Sequence, residues 1–355
     1  MVTDAGCALA LERRVGRNAA MLATCQPGSE TLIAGELAGA GYHPGASGPG
    51  WVRFETAGGA DPPDLAFAQL VLPAPRDIQA DSVNALAQQA AAFFMESLRD
   101  ERVAGGWPNC WSCSAESAGL ARRVAATRRK FDDLLHRRLS RVARMAVPEM
   151  PRGAGAVRGL FVFFTGFDRA LISRTAVIGG QRRMADDPAA PSRSYLKIEE
   201  AYGVLGAEPA SGETVVDLGA APGGWSYSAA RRGARVIAVD NGPLKGGALG
   251  NARVEHLRQD AFGFRPQPGL GFDWLFCDLV EEPHHVLRDI VEPWLGRGWC
   301  RRFIINLKFG RTDPLALLQE LRSTDSPFAR HAAGSRIRHL YHDREEFTIV
   351  GNVKP

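Results

Sequence analysis

The stretch over residues 215–225, V-V-D-L-G-A-A-P-G-G-W, constrains the fold more than any other part of the chain. The β-branched residues Val215 and Val216 end a short apolar run, which is typical of a buried strand. The glycine and proline residues then predict a tight turn, and a helix follows over residues 225–232. Strand, glycine loop and helix form the opening unit of a doubly wound α/β sheet, in which ligands bind at the carboxyl ends of the strands.

The loop of this unit differs from the dinucleotide-binding loop G-x-G-x-x-G, whose second glycine lets the backbone approach a pyrophosphate. In the frame that begins at Gly219, Ala221 takes that place, and Pro222 has no backbone N–H to donate to a phosphate. A nicotinamide dehydrogenase is therefore disfavoured. The next strand ends in Asp240, whose carboxylate can accept hydrogen bonds from ribose hydroxyls. A site suited to an adenosine that carries no phosphates predicts S-adenosylmethionine as the ligand. The alternative is a glycine-rich turn that binds no ligand.

From Ser192 onward, strands alternate with helices, which predicts a mainly parallel sheet. Two final strands, over residues 337–341 and 347–351, flank the sequence H-D-R-E-E. An antiparallel pair at the end of such a sheet fits the seven-stranded arrangement of methyltransferases. We therefore expect an α/β, Rossmann-like domain in this half of the chain.

The preceding residues predict a second region with both helices and strands, and 355 residues with 45% apolar content are enough for two cores. Residues 41–50, rich in glycine and proline, are interpreted as a loop. Nine Lys or Arg residues lie between Arg122 and Arg144, on a helix expected over residues 121–145, against only Asp132 and Asp133. A solvated helix face is the usual explanation for such a run, and a phosphate-binding surface is the alternative.

Cysteine usage and hydropathy favour a cytoplasmic protein. Six cysteines in a chain of this length do not form a disulfide framework. Cys110 and Cys113 form C-W-S-C, but no second C-x-x-C or histidine pair lies nearby to complete a zinc site. We interpret both as structural, because positions three apart on a strand point to opposite faces. No apolar run approaches the ~20 residues needed to cross a bilayer.

Four charged residues fall at element boundaries that can face the carboxyl edge of the predicted sheet: Lys197, Asp278, Lys308 and Glu346. Asp278 follows the apolar run W-L-F-C, and Lys308 follows F-I-I-N-L. Each residue alone is equally well explained as a surface charge. Two strand-end charges beside the glycine loop favour a catalytic site instead.

Several motifs contain these residues: S-R-S-Y-L-K, D-L-G-A-A-P-G-G-W-S, C-D-L-V-E-E-P, I-N-L-K and D-R-E-E-F-T-I-V. Together they resemble the FtsJ-like ribose 2'-O-methyltransferases, whose lysine–aspartate–lysine–glutamate tetrad matches the four residues in order and context. The sequences V-D-N-G-P, W-C-R and L-Y-H-D-R-E-E resemble most a bacterial member type that methylates a cytidine of 23S rRNA. The resemblance implies an RNA partner, either large-subunit rRNA or a pre-ribosomal particle.

The resemblance also implies a domain order and a set of binding residues. The expected segments are a tail over residues 1–17, a ferredoxin-like subdomain over 18–76, a THUMP-like RNA-binding domain over 77–178, a linker over 179–192 and the methyltransferase domain over 193–355. The candidate cofactor-binding residues are Asp217, Gly219, Ala221, Pro222, Gly223, Gly224, Trp225, Asp240, Asp260 and Asp278. The candidate RNA-binding residues are Arg122, Arg123, Arg128, Arg129, Lys130, Arg137 and Arg138.

Ribose methylation requires a base for the 2'-hydroxyl proton, and Lys308 is the expected base. A free lysine, with a pKa near ~10.4, is mostly protonated at neutral pH, so we expect desolvation and the second lysine to lower the pKa of Lys308. Asp278 would orient Lys308, while Lys197 and Glu346 would position the ribose. The eight histidines show no metal-ligand spacing, which predicts metal-independent catalysis. The alternatives are the same chemistry on another RNA, such as tRNA, and a non-catalytic RNA-binding or assembly protein.

Overall fold

The computed structural model describes residues 20–56, 61–114 and 118–355, so the predicted tail over residues 1–17 lies outside the described residues. The chain divides into two compact units, Met1–Ile178 and Gly179–Pro355.

The first unit contains helices and a nine-stranded sheet. In chain order its elements are β1 (Ala20–Thr24), α1 (Glu30–Gly39), β2 (His43–Gly48), β3 (Trp51–Glu55), β4 (Leu70–Pro73), β5 (Arg76–Gln79), α2 (Val83–Ser97), β6 (Trp107–Cys113), α3 (Leu120–Arg138), α4 (Ser140–Arg144), β7 (Ala146–Val147), β8 (Gly155–Phe164) and β9 (Arg169–Ile178). The strand order is β2–β3–β1–β4–β9–β8–β6–β7, and β5 also pairs with β9.

Two elements of this unit differ from the sequence-based expectation. Strand β2 lies within the expected loop at 41–50. Among the described residues it pairs only with β3, with a register shift between Pro44 and Ser47. Its exposed residues carry no apolar alternation, and an edge strand tolerates proline because one side of it is unpaired. The expected helix over 121–145 ends at Arg138, because Leu139 leaves the helical region with φ −139° and ψ 57°. The apolar spacing continues past this break, so the sequence pattern did not indicate it.

One core cluster of the first unit lies between the sheet and the helices α2 and α3. Phe94 of α2 and Phe131 of α3 are fully buried, with ring centroids 6.0 Å apart in an edge-to-face arrangement. Leu86 and Leu160 belong to the same cluster. One face of the basic helix α3 is therefore anchored in this core.

The second unit contains a seven-stranded sheet. In chain order its elements are α5 (Tyr195–Leu205), β10 (Thr214–Leu218), α6 (Gly224–Arg231), β11 (Arg235–Val239), β12 (Val254–Leu257), β13 (Phe272–Cys277), α7 (Pro283–Val286), α8 (Glu292–Gly296), β14 (Cys300–Lys308), α9 (Pro314–Arg322), α10 (Pro327–His331), β15 (Ala332–Arg338) and β16 (Glu346–Val353). A π-helical turn, Leu287–Val291, joins α7 to α8.

The strand order is β12–β11–β10–β13–β14–β16–β15. The first five strands pair in parallel, and β16 runs antiparallel to both of its neighbours. This order confirms the predicted α/β class and the mostly parallel, seven-stranded, Rossmann-like sheet. The carboxyl ends of β10, β13 and β14 therefore meet the amino end of β16 at one edge.

Cys25, Cys110, Cys113, Cys277 and Cys300 are free thiols. A search of the described part of the chain for a helix long and apolar enough to cross a membrane finds none.

Candidate active site

The candidate site lies at the edge where strands β10, β13 and β14 end. Asp278 directly follows β13, and Lys308 is the last residue of β14. Glu346 is the first residue of β16 and is the cross-strand partner of Lys308. Lys197 comes from the first turn of α5. The fold thus brings together four charged residues that are up to 149 positions apart in the chain.

The four side chains form a closed ring of ion pairs. Lys308 Nζ donates to Asp278 Oδ1 at 2.9 Å and to Glu346 Oε2 at 2.7 Å. Lys197 Nζ donates to Glu346 Oε1 at 2.9 Å and to Asp278 Oδ2 at 3.4 Å. Each carboxylate therefore bridges both ammonium groups, and two positive charges balance two negative charges.

The ring is shielded from water, but unevenly. The exposed fraction of the side chain is 7% for Glu346, 10% for Lys197 and 15% for Asp278, against 25% for Lys308. Lys308 is thus the member of the ring that an incoming group reaches most easily.

The pKa of Lys308 is raised above its ordinary value, so the expected lowering of this pKa is wrong for the ligand-free site. Burial acts in the expected direction and lowers the pKa. The charges of Asp278 and Glu346 and their hydrogen bonds to the ammonium outweigh burial. The same ion pairs lower the pKa of Glu346, although burial alone would raise it. Both partners are therefore held in their charged forms.

The loop between β10 and α6 requires glycine at two positions. Gly219 has φ +80°, and a Cβ there would lie 2.8 Å from Leu279 Cδ2 and 3.3 Å from the carbonyl carbon of Asp278. Gly223 has φ +107°, and a Cβ there would lie 2.5 Å from Ala248 Cβ. At both positions the backbone lies in the left-handed region, which favours glycine, and neighbouring atoms leave no room for a Cβ. The loop consequently lies directly against the residue that enters the charged ring, Asp278.

Asp217, the fourth residue of β10, carries an unpaired oxygen next to this loop. Its side chain is 1% exposed, and Oδ2 accepts a hydrogen bond from Ser226 Oγ at 2.6 Å. Among the described residues, Oδ1 has no hydrogen-bond partner. Burial, reinforced by the negative charges of Asp278 and Asp240, raises the pKa of Asp217 to about 7. A buried acceptor without a donor indicates a place for a ligand that brings one.

Other candidate cofactor residues shape the same loop. Asp240 Oδ2 accepts from the backbone N–H of Ala221 at 2.9 Å, and Oδ1 accepts from that of Gly242 at 2.7 Å. The Ala221–Pro222 peptide is cis. Asp260 is exposed and caps a 3₁₀ turn by accepting from Phe262 N–H at 3.0 Å. Each carboxylate oxygen keeps a further lone pair, so these bonds leave Asp240 and Asp260 able to accept from a ligand.

Trp225 and Gly224 lie in the first turn of α6. The side chain of Trp225, expected at the cofactor, is only 2% exposed and packs edge-to-face on Phe276, with ring centroids 6.0 Å apart. Its indole N–H donates to Ser194 O at 2.9 Å. The ring thus belongs to the core, and cofactor binding by the turn that contains Trp225 stays a prediction. A Cβ on Gly224 would lie 2.8 Å from Ser194 Oγ, so the helix start packs closely on the residue that precedes α5.

A cleft of about 1210 Å³ opens over the charged ring. Lys197, Lys308 and Glu346 line it, together with Tyr341 and Arg344 from the loop between β15 and β16. Sequence reasoning did not identify Tyr341 or Arg344 as site residues, although both belong to the motif around H-D-R-E-E. The cleft gives a large polar molecule access to Lys308.

Five of the seven candidate RNA-binding residues on α3 are exposed: Arg122, Arg129, Lys130, Arg137 and Arg138. Arg123 instead donates to the Asp81 carbonyl at 2.6 Å, and Arg128 lies 3.8 Å from the carboxylate of Asp132. Both half-buried residues thus have partners within the protein.

No group of three or more His, Cys, Asp or Glu side chains in the described residues is arranged to hold a metal ion. Metal independence stays a prediction.

A family model described as FtsJ-like methyltransferase matches residues 190–293. The chain is 34% identical to "Ribosomal RNA large subunit methyltransferase M" of Chromohalobacter salexigens over 356 aligned positions, which cover 92% of this chain and 95% of that relative. The relative of the same name in Alkalilimnicola ehrlichii is 35% identical and covers 93% of both chains. A solved structure described as a possible methylase from Clostridium difficile aligns at 12% identity with a TM-score of 0.35, over 95% of this chain and 98% of that one.

Proposed function

Because the chain belongs to the family of the ribosomal RNA large subunit methyltransferases M, we propose that it methylates a ribose 2'-oxygen in large-subunit rRNA. The proposed target is a cytidine, and the proposed catalytic residues are Lys197, Asp278, Lys308 and Glu346. The observation that carries the proposal is the closed ring of two lysines and two carboxylates beneath an open cleft. The ring would supply a base and the groups that orient it, and the cleft would give a nucleotide access to that base.

The glycine loop fits the cofactor, S-adenosylmethionine. Asp217 offers the cofactor a buried acceptor, Oδ1, that has no partner among the described residues, and the glycine at position 219 lets the loop lie directly against the end of β13. Asp240 and Asp260 would hold the adenosine. When bound, the cofactor supplies a methyl group that its sulfonium has already activated. The chain therefore has to align the acceptor oxygen and remove its proton.

We assign the removal of the 2'-hydroxyl proton to Lys308. The proton would move to neutral Lys308 Nζ as the oxygen forms its bond to the methyl carbon and the bond from that carbon to the sulfonium sulfur breaks, which leaves a neutral thioether on the cofactor product. The raised pKa makes each neutral Lys308 a stronger base but keeps the neutral form rare at pH 7. The carboxylates of Asp278 and Glu346, at 2.9 and 2.7 Å from Nζ, then stabilise the ammonium that results.

The other three residues would position Lys308 and the ribose. Asp278 contacts both lysines and lies directly beside the glycine loop, so it links the base to the cofactor site. Lys197 Nζ neutralises the side of the ring opposite Lys308, and Glu346 is the cross-strand partner of the base. A hydroxyl that reaches Lys308 thus meets a site whose polar groups are already oriented.

Transfer of labelled methyl groups tests the proposed substrate. S-Adenosylmethionine with a labelled methyl group is incubated with the full chain and with rRNA or tRNA from cells that lack the protein. We expect label in large-subunit rRNA and none in tRNA. Label in tRNA alone would keep methyl transfer and overturn the rRNA substrate.

The exposed residues of α3 are proposed to contact RNA phosphates. Replacing Arg129, Lys130 and Arg137 with alanine should weaken RNA binding, raise KM for RNA and leave kcat unchanged, because phosphate contacts add affinity without touching the reacting atoms. The slope of log affinity against log salt should fall by about 1 for each side chain that no longer neutralises a phosphate. Binding titrations at several salt concentrations measure both effects.

The control is a variant with Arg99, Arg102 and Arg152 replaced by alanine, which removes three exposed arginines of the same unit outside α3. Equal losses of affinity in both variants would mean that net charge, and not the α3 surface, drives binding.

A further inference from the structure

A buried polar layer lies next to the Lys308–Glu346 pair. Asn306 and Thr348 are cross-strand partners on β14 and β16, two residues away from Lys308 and Glu346, and both are 0% exposed. Because residues two apart on a strand share a face, the two pairs lie on the same face of the sheet. Asp343, from the loop before β16, is 4% exposed and contacts this layer.

Asp343 connects three segments through hydrogen bonds. Its Oδ2 accepts from the backbone N–H of Leu340 at 2.8 Å, which closes the loop on itself. Thr348 Oγ1 lies 3.1 Å from Oδ2 and 3.2 Å from Oδ1, and Asn306 Nδ2 lies 3.4 Å from Oδ1. One side chain thus joins β14 to β16 immediately behind the residues that carry the proposed base and its carboxylate partner.

The surroundings of Asp343 disfavour its charged form. All of its hydrogen-bond donors in the described residues are neutral, and none of the ion pairs found there includes it. An ionised carboxylate buried without a cation partner is costly. Burial, together with the negative charge of Glu346, raises the pKa of Asp343 to about 8. Asp343 therefore carries a proton over much of the neutral range.

A protonated Asp343 also has an acceptor available. Thr348 Oγ1 lies 3.2 and 3.1 Å from the two carboxylate oxygens, and a hydroxyl oxygen can accept as well as donate. The Asp343 hydroxyl can therefore donate to Thr348, while the Asn306 amide donates to the other carboxyl oxygen.

We propose that Asp343 is a positioning residue that holds the ends of β14 and β16 in register, as a neutral hydrogen-bonding group, so that Lys308 and Glu346 keep their catalytic geometry. This proposal rests on the proposed function, because Asp343 would act through Lys308.

Neutrality of Asp343 matters for the balance of the charged ring. The charged or titratable groups that face Asp343 are Glu346 on β16, and Lys197 and Glu200 on α5. Burial raises the pKa of Glu200 to about 8, although the hydrogen bond from the Tyr341 N–H at 2.9 Å acts in the opposite direction. An ionised Asp343 would add a third carboxylate to two lysines and two carboxylates, which favours the protonated form of Lys308.

Two variants at one position test the proposal with the full chain, labelled S-adenosylmethionine and large-subunit rRNA. Asp343→Ala should lower kcat about 100-fold with KM for RNA and cofactor affinity unchanged, because small displacements of a catalytic group cost about this much. Asp343→Asn keeps a neutral acceptor and donor, so it should restore kcat to within about 5-fold of the wild type at pH 7. Above pH 8, the ratio of the Asn variant's kcat to the wild-type kcat should rise, because only the wild type gains a charge at this position.

Asp273→Ala is the matched control. The Asp273 carboxylate likewise accepts from a backbone N–H and a threonine hydroxyl, both of Thr214, at 2.9 and 3.1 Å, but at the amino ends of β10 and β13. Thermal denaturation and cofactor titration of each variant report folding. If Asp343→Ala does not fold, Thr348→Val removes only the hydroxyl from the layer and should still lower kcat about 10-fold without changing KM.

Either of two results would overturn the proposal. If kcat of Asp343→Asn were as low as that of Asp343→Ala, the reaction would require a charged Asp343. If both variants kept the wild-type kcat, Asp343 would not position Lys308 and Glu346. Failure of the proposed function is distinguishable, because the wild type would then transfer no methyl group to rRNA at all.

Discussion

Replacing Lys308 with alanine is expected to lower kcat for methyl transfer by about 10³-fold, within the range for loss of a general base. Affinity for S-adenosylmethionine should stay within about 3-fold of the wild type, because the loss concerns the transition state and not cofactor binding. In the variant, Lys197 Nζ still contacts both Asp278 and Glu346, so neither carboxylate is left without a cation partner. Single-turnover kinetics and a calorimetric cofactor titration measure the two quantities separately.

The control is Lys354→Ala. Lys354 Nζ donates to the carbonyl oxygens of Ala329 and Arg330 at 2.8 and 2.9 Å, so this variant also removes a bonded ammonium. It should keep wild-type kcat. If Lys308→Ala turned over at near the wild-type rate with cofactor binding intact, Lys308 would not be the base.

The pH dependence of the wild type gives a second readout of the same assignment. The active form of Lys308 is neutral, and its pKa is raised above the ordinary value. Below that pKa the neutral fraction grows tenfold per pH unit, so kcat at saturating cofactor should rise from pH 6 to 8 with a log slope approaching about 1. The slope should be lost in Lys308→Ala. If the kcat of the wild type were already constant with pH below pH 7, Lys308 would not be protonated in the resting site.

Gly219→Ala has the largest expected effect on cofactor binding, a loss of affinity of about 30-fold or more, equivalent to roughly 2 kcal/mol. The new Cβ would lie 2.8 Å from Leu279 Cδ2 and 3.3 Å from the Asp278 carbonyl carbon, so the loop and the end of β13 must move apart. Because Asp278 also belongs to the charged ring, kcat should fall together with affinity.

Gly206→Ala separates packing from backbone strain. Gly206 has φ +78°, nearly the φ +80° of Gly219, but a Cβ there would have nothing within 4 Å. Both variants therefore carry the cost of a left-handed alanine, about 1–2 kcal/mol of stability. Only Gly219→Ala should lose cofactor affinity, as measured by fluorescence or calorimetric titration. Equal affinity in the two variants would mean that the loop does not bind the cofactor.

The sequence predicted those features that depend on local patterns. The unit from β10 to α6 combines a β-branched run, glycines and a following helix, and the structure confirms its place in a mostly parallel sheet. Asp278 and Lys308 end apolar runs, so their meeting at one sheet edge followed from the fold class. Lys197 and Glu346 lie within a helix and at the start of an antiparallel strand, and only the motif resemblance singled them out.

Features that depend on three-dimensional packing were missed. Trp225 follows the glycine loop in sequence, but the direction of the α6 helix turns its ring into the core. The pKa of Lys308 depends on two carboxylates from distant segments, whose combined effect exceeds that of burial. Asp343 lies three positions from Glu346 in sequence, but its contact with Asn306 on β14 appears only in the folded sheet.

The position of the transferred methyl group tests the central claim most directly. Large-subunit rRNA from cells lacking the protein is methylated by the wild type with labelled S-adenosylmethionine, digested to nucleosides and analysed by mass spectrometry. We predict a single labelled product, 2'-O-methylcytidine, that is absent when Lys308→Ala replaces the wild type. Label on a nucleobase would contradict ribose methylation by the Lys–Asp–Lys–Glu ring.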